Sequence, residues 1–359
     1  MRKYLTRHSR IFFTVTLVAI LVYALAIYSP GVADFINGSV SVYVRAALSF
    51  LTYPLPFSFF EILVIISPVI LTLTVVALVK RARTRTAMIR GAFSLLAVIS
   101  IIFTSYIFTL GIGYHTSALS EKIGIDEDND ITADELYYAV TQVVDGMREY
   151  ADSVPFENGE TVMPYSVDEM SERLIRAYDL MNGEYSLLTN YHSRVKPVYF
   201  STVMSDLGIS GIYSFFTGEA NVNVEYPDYC LPFTSAHELA HQRGICRENE
   251  ANFVAFLVCI SSDDDYIRYS GYLGMYEYLA SALYRTDTDL YNEALKSVPK
   301  VAIYDMIASS EVYEQHKDSP LGRINERLND AYLKANGTEG VVSYGYVVRL
   351  AVGYYKEQK

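Results

Sequence analysis

Hydrophobic residues dominate the first third of the chain in three long runs. Residues 11–28, 62–79 and 91–114 contain no Asp, Glu, Lys or Arg. A helix needs roughly 20 apolar residues to cross the hydrocarbon core of a bilayer. The pattern therefore predicts a membrane domain, residues 1–114, with spans at about residues 11–29, 60–79 and 91–114.

The N-terminal run and the segment that follows it each allow a second interpretation. The basic start and Ala24-Leu25-Ala26 resemble a signal peptide, but the apolar run exceeds the roughly 7–15 residues of a signal core, so we interpret it as an uncleaved anchor. Residues 40–54 are moderately apolar but include Arg45, which is costly at the bilayer centre. We therefore predict an interfacial or re-entrant helix there rather than a fourth span.

Residues 115–359 show the shorter periods of a folded domain. Thr132 and Glu135 form a capping-box pattern that predicts a helix to about residue 152, and a second helix is predicted at about residues 166–188. β-Branched and aromatic residues broken by glycines predict two or three short strands between residues 197 and 224. The remainder is helical in pattern. The predicted fold class is mainly α: a three-helix transmembrane region, then an α-rich (α+β) domain with a small β-sheet.

Charge divides along the same boundary. Residues 1–114 carry a net charge of +8, and residues 115–359 carry −20. An acidic domain without a basic patch argues against a nucleic-acid partner. Basic residues cluster before the first run and between the second and third, so the positive-inside rule predicts that residues 115–359 lie outside the cytoplasm. The basic residues are Arg2, Lys3, Arg7 and Arg10, then Lys80, Arg81, Arg83, Arg85 and Arg90.

The chemistry-bearing motif is His237-Glu238-Leu239-Ala240-His241. Pro232 suits a first helical turn and Gly244 suits the position just past a helix end, so the motif is predicted to lie on a helix over residues 232–243. Imidazoles four residues apart share one helix face and can reach a single ion, and the adjacent acid can activate water. The alternative is a structural capping box from Ser235 to Glu238, with surface histidines.

A catalytic zinc site needs a third protein ligand. Glu248 and Glu250 both begin the next predicted helix, and we favour Glu248 because Asn252 lies one turn further on its face. Asn252 is then expected to orient a ligand from the second coordination shell.

These motifs carry a family resemblance. Residues 216–223, 231–234, 237–242 and 248–253 resemble an uncharacterised bacterial membrane family known as the domain of unknown function 3810 family, which is similar to gluzincin-type HExxH metallopeptidases. The resemblance implies a zincin-like extracytoplasmic catalytic domain and one Zn²⁺ ion, with His237, His241 and Glu248 as ligands and Glu238 as catalytic acid/base. It implies no particular substrate.

The same likeness suggests an edge strand that binds substrate. In gluzincin-like enzymes a strand at the sheet edge usually pairs with the peptide, which makes residues 218–224 the candidate. The substrate-binding residues would be Gly218, Glu219, Asn221 and Asn223, and the alternative is a purely structural hairpin. Tyr344, Tyr346, His316 and Arg323 are equally plausible helpers for the developing oxyanion.

The sequence thus favours a multi-pass membrane protein in the bacterial cell membrane, with the lipid bilayer and a peptide or protein substrate as partners. The expected activity is a zinc metallopeptidase. The alternative is a membrane sensor that recognises peptides or cell-wall fragments without significant turnover. A purely structural membrane protein would bind no metal. Cys230 and Cys246 either pair or pack as small apolar residues.

Overall fold

The computed structural model describes residues 4–81, 84–127 and 130–358, so Arg2, Lys3 and Arg83 of the basic clusters lie outside the described residues. By internal contacts the chain forms two compact units. The first unit is residues 1–116 together with residues 214–219. The second unit comprises residues 117–213 and 220–359.

The regular elements that the structure describes in the first unit are all helices. Its α-helices are α1 (Arg7–Tyr28), α2 (Pro30–Ile36), α3 (Val42–Thr52), α4 (Phe59–Arg81) and α5 (Arg85–Thr109), with a π-helical turn at Asn37–Ser41 and a 3-10 helix at Gly111–His115.

Three helices of the described chain are long and apolar enough to cross a membrane: Arg7–Tyr28, Phe59–Lys80 and Arg85–Thr109. The third begins and ends earlier than the predicted residues 91–114, because the last residues of the apolar run form the separate 3-10 helix.

Polar contacts hold the first unit together where its surface is otherwise apolar. The Thr16 hydroxyl on α1 lies 2.9 Å from that of Thr104 on α5. Residues 42–52 form the helix expected in the ambiguous segment, and Arg45 on it is only 1% exposed. Its guanidinium donates to the side-chain and main-chain oxygens of Asn37 at 2.8 and 3.1 Å. The two terminal nitrogens of Arg45 therefore bond to protein oxygens rather than facing hydrocarbon unpaired.

The second unit is α-rich with two small sheets. Its α-helices are α6 (Leu119–Ile123), α7 (Ala133–Ala151), α8 (Val167–Tyr185), α9 (Ser201–Asp206), α10 (Cys230–Arg243), α11 (Glu248–Ile260), α12 (Asp265–Thr286), α13 (Thr288–Leu295), α14 (Lys300–His316), α15 (Pro320–Ala335) and α16 (Val347–Glu357), with a 3-10 helix at Gly340–Tyr346. The strands are β1 (Phe156–Glu157), β2 (Glu160–Thr161), β3 (Val195–Val198), β4 (Gly211–Tyr213) and β5 (Ala220–Asn223).

Local sequence signals account for several of these boundaries. Thr132 and Glu135 make the predicted capping box of α7, and Ser166 with Glu169 makes a second one at α8. The predicted strand region contains three strands in the order β3-β5-β4, with β3 parallel and β4 antiparallel to β5. The mainly helical fold class with a small sheet is thus confirmed.

The core of the second unit centres on α11, which is buried from Ala251 to Cys259. Helix α12 approaches it closely because glycine removes the side chain at the contact. A Cβ on Gly271 would lie 2.4 Å from Cys259 Cβ, and one on Gly274 would lie 2.7 Å from the Phe233 ring on α10. Helices α10, α11 and α12 therefore form a rigid support for the motif.

Candidate metal centre

The turn between α10 and α11 sets the geometry of the motif. Gly244 has φ 97°, a left-handed conformation that glycine adopts without strain, and its N–H bonds to carbonyls of the last turn of α10. The N–H of Ile245 donates to the Ala240 carbonyl at 3.0 Å, which completes the helix end. The chain then reverses, and α11 begins at Glu248, facing the two histidines of α10.

The structure brings His237, His241 and Glu248 together. Glu248 Oε2 lies 3.2 Å from His237 Nε2 and 3.4 Å from His241 Nε2, and the three ligand atoms all fall within 4.8 Å of one another. A tetrahedral ion with bonds of about 2.0–2.1 Å places neighbouring ligand atoms about 3.3–3.4 Å apart. The two distances from Glu248 are close to this spacing, so the three groups could hold a metal ion.

Each imidazole is held by its other nitrogen. His237 Nδ1 lies 2.8 Å from Asn252 Oδ1, and His241 Nδ1 lies 2.8 Å from the Ile245 carbonyl oxygen. A main-chain carbonyl can only accept, so His241 Nδ1 carries a proton and Nε2 is the atom left for a ligand. Asn252 thus contacts one of the two motif histidines, and its expected role toward a metal stays a prediction.

The site is buried and electrostatically matched to a cation. The side chains of His237, His241 and Glu248 are 12%, 10% and 10% exposed. Burial alone would lower the pKa of His241, but the Glu248 carboxylate outweighs it and raises that pKa to about 9. Burial opposes ionisation of Glu248, yet the charges and hydrogen bonds of both histidines hold its pKa well below the ordinary value. A positive charge, a proton or a metal, is thus favoured between these groups.

Glu238 lies beside this constellation with the properties of a proton carrier. It is 5% exposed, and its Oε2 has no hydrogen-bond partner among the described residues. Burial raises its pKa, although His237 and His241 partly offset the effect. The main-chain N–H of Tyr213 on β4 donates to the carboxylate. A buried carboxyl group with a raised pKa is suited to accept and return a proton.

The two alternatives to this arrangement do not match the structure. Glu250 Oε1 accepts from the Leu119 N–H at 2.9 Å and from Arg247 Nη1 at 2.6 Å, so it stabilises the start of α6, and the described ligand cluster contains Glu248 instead. Ser235 lies inside α10, which begins at Cys230, and therefore cannot be the N-cap of a box with Glu238.

The prediction that residues 218–224 form an edge strand is wrong. Strand β5 is central, with β3 on one side and β4 on the other, so residues 220–223 have no open edge to pair with a peptide. The side chains of Asn221 and Asn223 bond instead to neighbouring main-chain segments, through the carbonyls of Ile212 and Ile209.

The other two expected substrate-binding residues lie in the loop that belongs to the first unit. The Glu219 carboxylate accepts from the N–H groups of Phe59 and Phe60 at the start of α4. Gly218 adopts φ 73° against Leu48. Alternation of residue types predicts a strand but not its place in the sheet order, which depends on contacts distant in sequence.

Strand β4 is the edge strand beside Glu238, a place in the sheet that the sequence did not predict. A Cβ on Gly211 would lie 2.6 Å from Glu238 Oε1, so glycine permits the close approach. A glycine inside a strand pattern is a recognised signal for such an approach. The carbonyl of Ile245 was also missed, and a main-chain group leaves no side-chain signal.

Of the possible oxyanion helpers, Tyr344 has a pKa that is influenced by the charges of the site. Burial raises its pKa, and the charges of Glu248 and Glu238 add to the rise. Asn329 Nδ2 donates to its hydroxyl at 3.4 Å. His316, by contrast, pairs with Asp206 at 2.8 Å.

All three cysteines, Cys230, Cys246 and Cys259, are free thiols, so the alternative of a Cys230–Cys246 disulfide is not present. Cys246 and Cys259 are fully buried, and Cys259 packs in the apolar core of the second unit.

Comparison with known proteins gives one match. A family model described as a protein of unknown function (DUF3810) matches residues 38–352. The chain matches no curated protein and no solved structure.

Proposed function

Because the chain belongs to the DUF3810 family, whose description assigns no activity, we propose its function from the site: a membrane-anchored, gluzincin-like zinc metallopeptidase. The second unit would be a zincin-like catalytic domain outside the cytoplasm. Its substrates would be peptides or exported proteins. The observation that carries the proposal is the convergence of two imidazoles and one carboxylate at metal-ligand spacing, with a second, partly unsatisfied carboxylate beside them.

The donor set favours zinc among common ions, since two imidazoles and a carboxylate are typical zinc ligands. A zinc ion held by His237, His241 and Glu248 would act as a Lewis acid toward a peptide carbonyl and lower the pKa of water. Asn252 and the Ile245 carbonyl keep both imidazoles in the tautomer that presents Nε2. Three protein ligands leave a position open for solvent or substrate.

Glu238 would carry the proton. Its free Oε2 can accept a proton from the attacking water, and the raised pKa lets the carboxyl group return it to the leaving amine. Its environment restricts its movement, because Tyr213 holds the carboxylate and Gly211 lies against it. The Glu238 side chain is therefore buried and held in position for proton transfer, unlike a solvated acid on the surface.

The open edge of β4 would hold the substrate chain. Main-chain bonds to β5 and its extension use Ser210 and Ser214, so in an antiparallel ladder the main-chain groups of Gly211 and Tyr213 face the other way. These groups lie on the side of Glu238, and the Glu238 carboxylate already accepts from the Tyr213 N–H. An extended peptide would therefore pair as an added strand through the main-chain groups of Gly211, which transfers the expected substrate role from β5 to β4.

Metal content and turnover of the full-length protein in detergent test the proposal. We expect about one zinc per chain in the wild type and in Glu238→Gln, and loss of zinc in His241→Ala. Hydrolysis of a mixed peptide library should fall by about 10²–10⁴ in Glu238→Gln, the range for a general acid/base. Glu172→Gln, which alters an exposed glutamate, is the control.

Two outcomes would count against this function. Absence of any bound metal after reconstitution would indicate a structural protein. Peptide binding that is identical in the wild type and Glu238→Gln, without turnover in either, would favour a sensor.

A further inference from the structure

The loop between β4 and β5 belongs to a different unit from the strands that it joins. Residues 214–219 are part of the first unit, whereas β4 and β5 are part of the second. The chain therefore passes from one unit to the other at residues 116–117, 213–214 and 219–220. A protein with a simple membrane anchor would need one such passage.

A buried carboxylate fixes the end of this loop to α4. Glu219 is 2% exposed, and its two oxygens accept from the N–H groups of Phe59 and Phe60 at 3.0 and 2.7 Å. These are the first N–H groups of α4, which lack partners within the helix. Hydrogen bonds from such groups to an ionised carboxylate are stronger than neutral ones.

Helices α3 and α5 hold the rest of the loop. The hydroxyls of Ser105 and Thr109 donate to the Phe215 carbonyl at 2.9 and 3.1 Å. The Thr52 hydroxyl donates to the Thr217 carbonyl at 3.4 Å. Gly218 has a positive φ and lies so close to α3 that a Cβ would be 2.6 Å from Leu48 Cβ.

The loop is also closed on itself. The Ser214 N–H donates to the Glu219 carbonyl, and the Gly218 N–H donates to the Ser214 carbonyl, both at 2.8 Å. Because these bonds close the loop, it should move as one body. A displacement of Glu219 would then be passed through Ser214 to Tyr213, the preceding residue in the chain, whose main chain bonds to Glu238.

We propose that Glu219 is a positioning residue: by fixing the 214–219 loop to α3, α4 and α5, it holds β4 in place beside Glu238. The catalytic meaning of this coupling rests on the proposed function, but the coupling itself does not.

Hydrogen exchange of the full-length protein in lipid nanodiscs tests the coupling without relying on turnover. In Glu219→Ala, amide exchange should accelerate about tenfold or more in residues 55–65, where the caps are lost, and also in residues 209–214. Glu219→Gln retains one acceptor oxygen, so it should show a smaller acceleration in both segments. Glu172→Ala, on the exposed surface of α8, should change neither.

Metal content and kinetics complete the test. Zinc content should stay at the wild-type value in Glu219→Ala, because His237, His241 and Glu248 lie on α10 and α11 rather than in the loop, whereas kcat should fall more than KM rises. Glu219→Gln should recover part of kcat. Faster exchange confined to residues 55–65 would overturn the proposal, whether or not the protein proves to be a peptidase.

Discussion

At the scale of single residues, the site is a small set of groups whose mutual attraction favours a positive charge among them. His241 Nδ1 is committed to a carbonyl, so its Nε2 faces Glu248 either with a proton or with a metal. The raised pKa of His241 and the lowered pKa of Glu248 are two consequences of the same attraction. A metal ion would replace the proton.

The first prediction concerns pH. The folded pKa of His241 in the metal-free protein, about 9, exceeds the ordinary value of 6.5. Its proton therefore stabilises the metal-free fold fully below pH 6.5, and this contribution is lost as pH rises through 9. Metal must displace the proton, so zinc affinity should rise about tenfold per pH unit between pH 7 and 8.5. Calorimetry in two buffers should show about one proton released, and a pH-independent affinity would contradict this.

A second prediction concerns the glycine beside Glu238. In Gly211→Ala the new methyl group would lie 2.6 Å from Glu238 Oε1 and 2.8 Å from Thr234 Cγ2, so the carboxylate must move. A displacement of about 1 Å at a reacting group can cost about 10²-fold in rate. We expect turnover to fall 10–100-fold while zinc content is unchanged. Gly183→Ala, where nothing lies within 4 Å, is the matched control, and equal turnover in the two variants would refute the argument.

At the scale of elements, the sequence was informative wherever a signal is local. The capping boxes, the glycine after α10 and the spacing of the histidines each predicted a feature within one or two turns, and the helices follow them. The choice between Glu248 and Glu250 depends on which face α11 turns to α10, and no local signal gives that. Glu250 bonds to Arg247, which is close in sequence, and to Leu119, which is far away in sequence.

The sheet shows the limit of local signals more clearly. The short strands were predicted, but their order was not, because β5 is placed centrally by a parallel partner and an antiparallel one from different parts of the chain. Asn221 and Asn223 therefore lie on a central strand rather than on an edge that could bind a peptide.

A third prediction belongs to the turn that joins α10 to α11. In Gly244→Ala the new alanine must adopt a φ near 97°, which costs roughly 1–2 kcal/mol. Relief of this strain would shift α11 relative to α10. Gly159→Ala provides the same backbone strain, at φ 99° in a turn with open space around it. Both variants should lower the unfolding midpoint, but only Gly244→Ala should weaken zinc binding, by about tenfold or more. Equal zinc affinities would show that this turn does not set the ligand geometry.

At the scale of the whole molecule, hydropathy and charge divide the sequence near residue 115, but the two compact units are not separated by a single boundary in the chain. Six residues far along the chain belong to the first unit. No composition shift marks them, because Phe215 and Phe216 look like ordinary core residues in the sequence. Their environment follows from hydrogen bonds to residues more than a hundred positions earlier, which no local pattern contains.

The last prediction is the orientation of the protein in the membrane. Three crossings by the candidate spans, with the basic N-terminus and the basic segment of residues 80–90 in the cytoplasm, would place Lys359 outside it. A fourth crossing by residues 30–52 would reverse this, but that helical stretch includes Asp34 and the buried Arg45, which are costly in hydrocarbon. A reporter that is active only outside the cytoplasm, fused after Lys359, should therefore be active. A reporter that functions only in the cytoplasm should stay silent at the same position, and the reverse pair of results would require the fourth crossing.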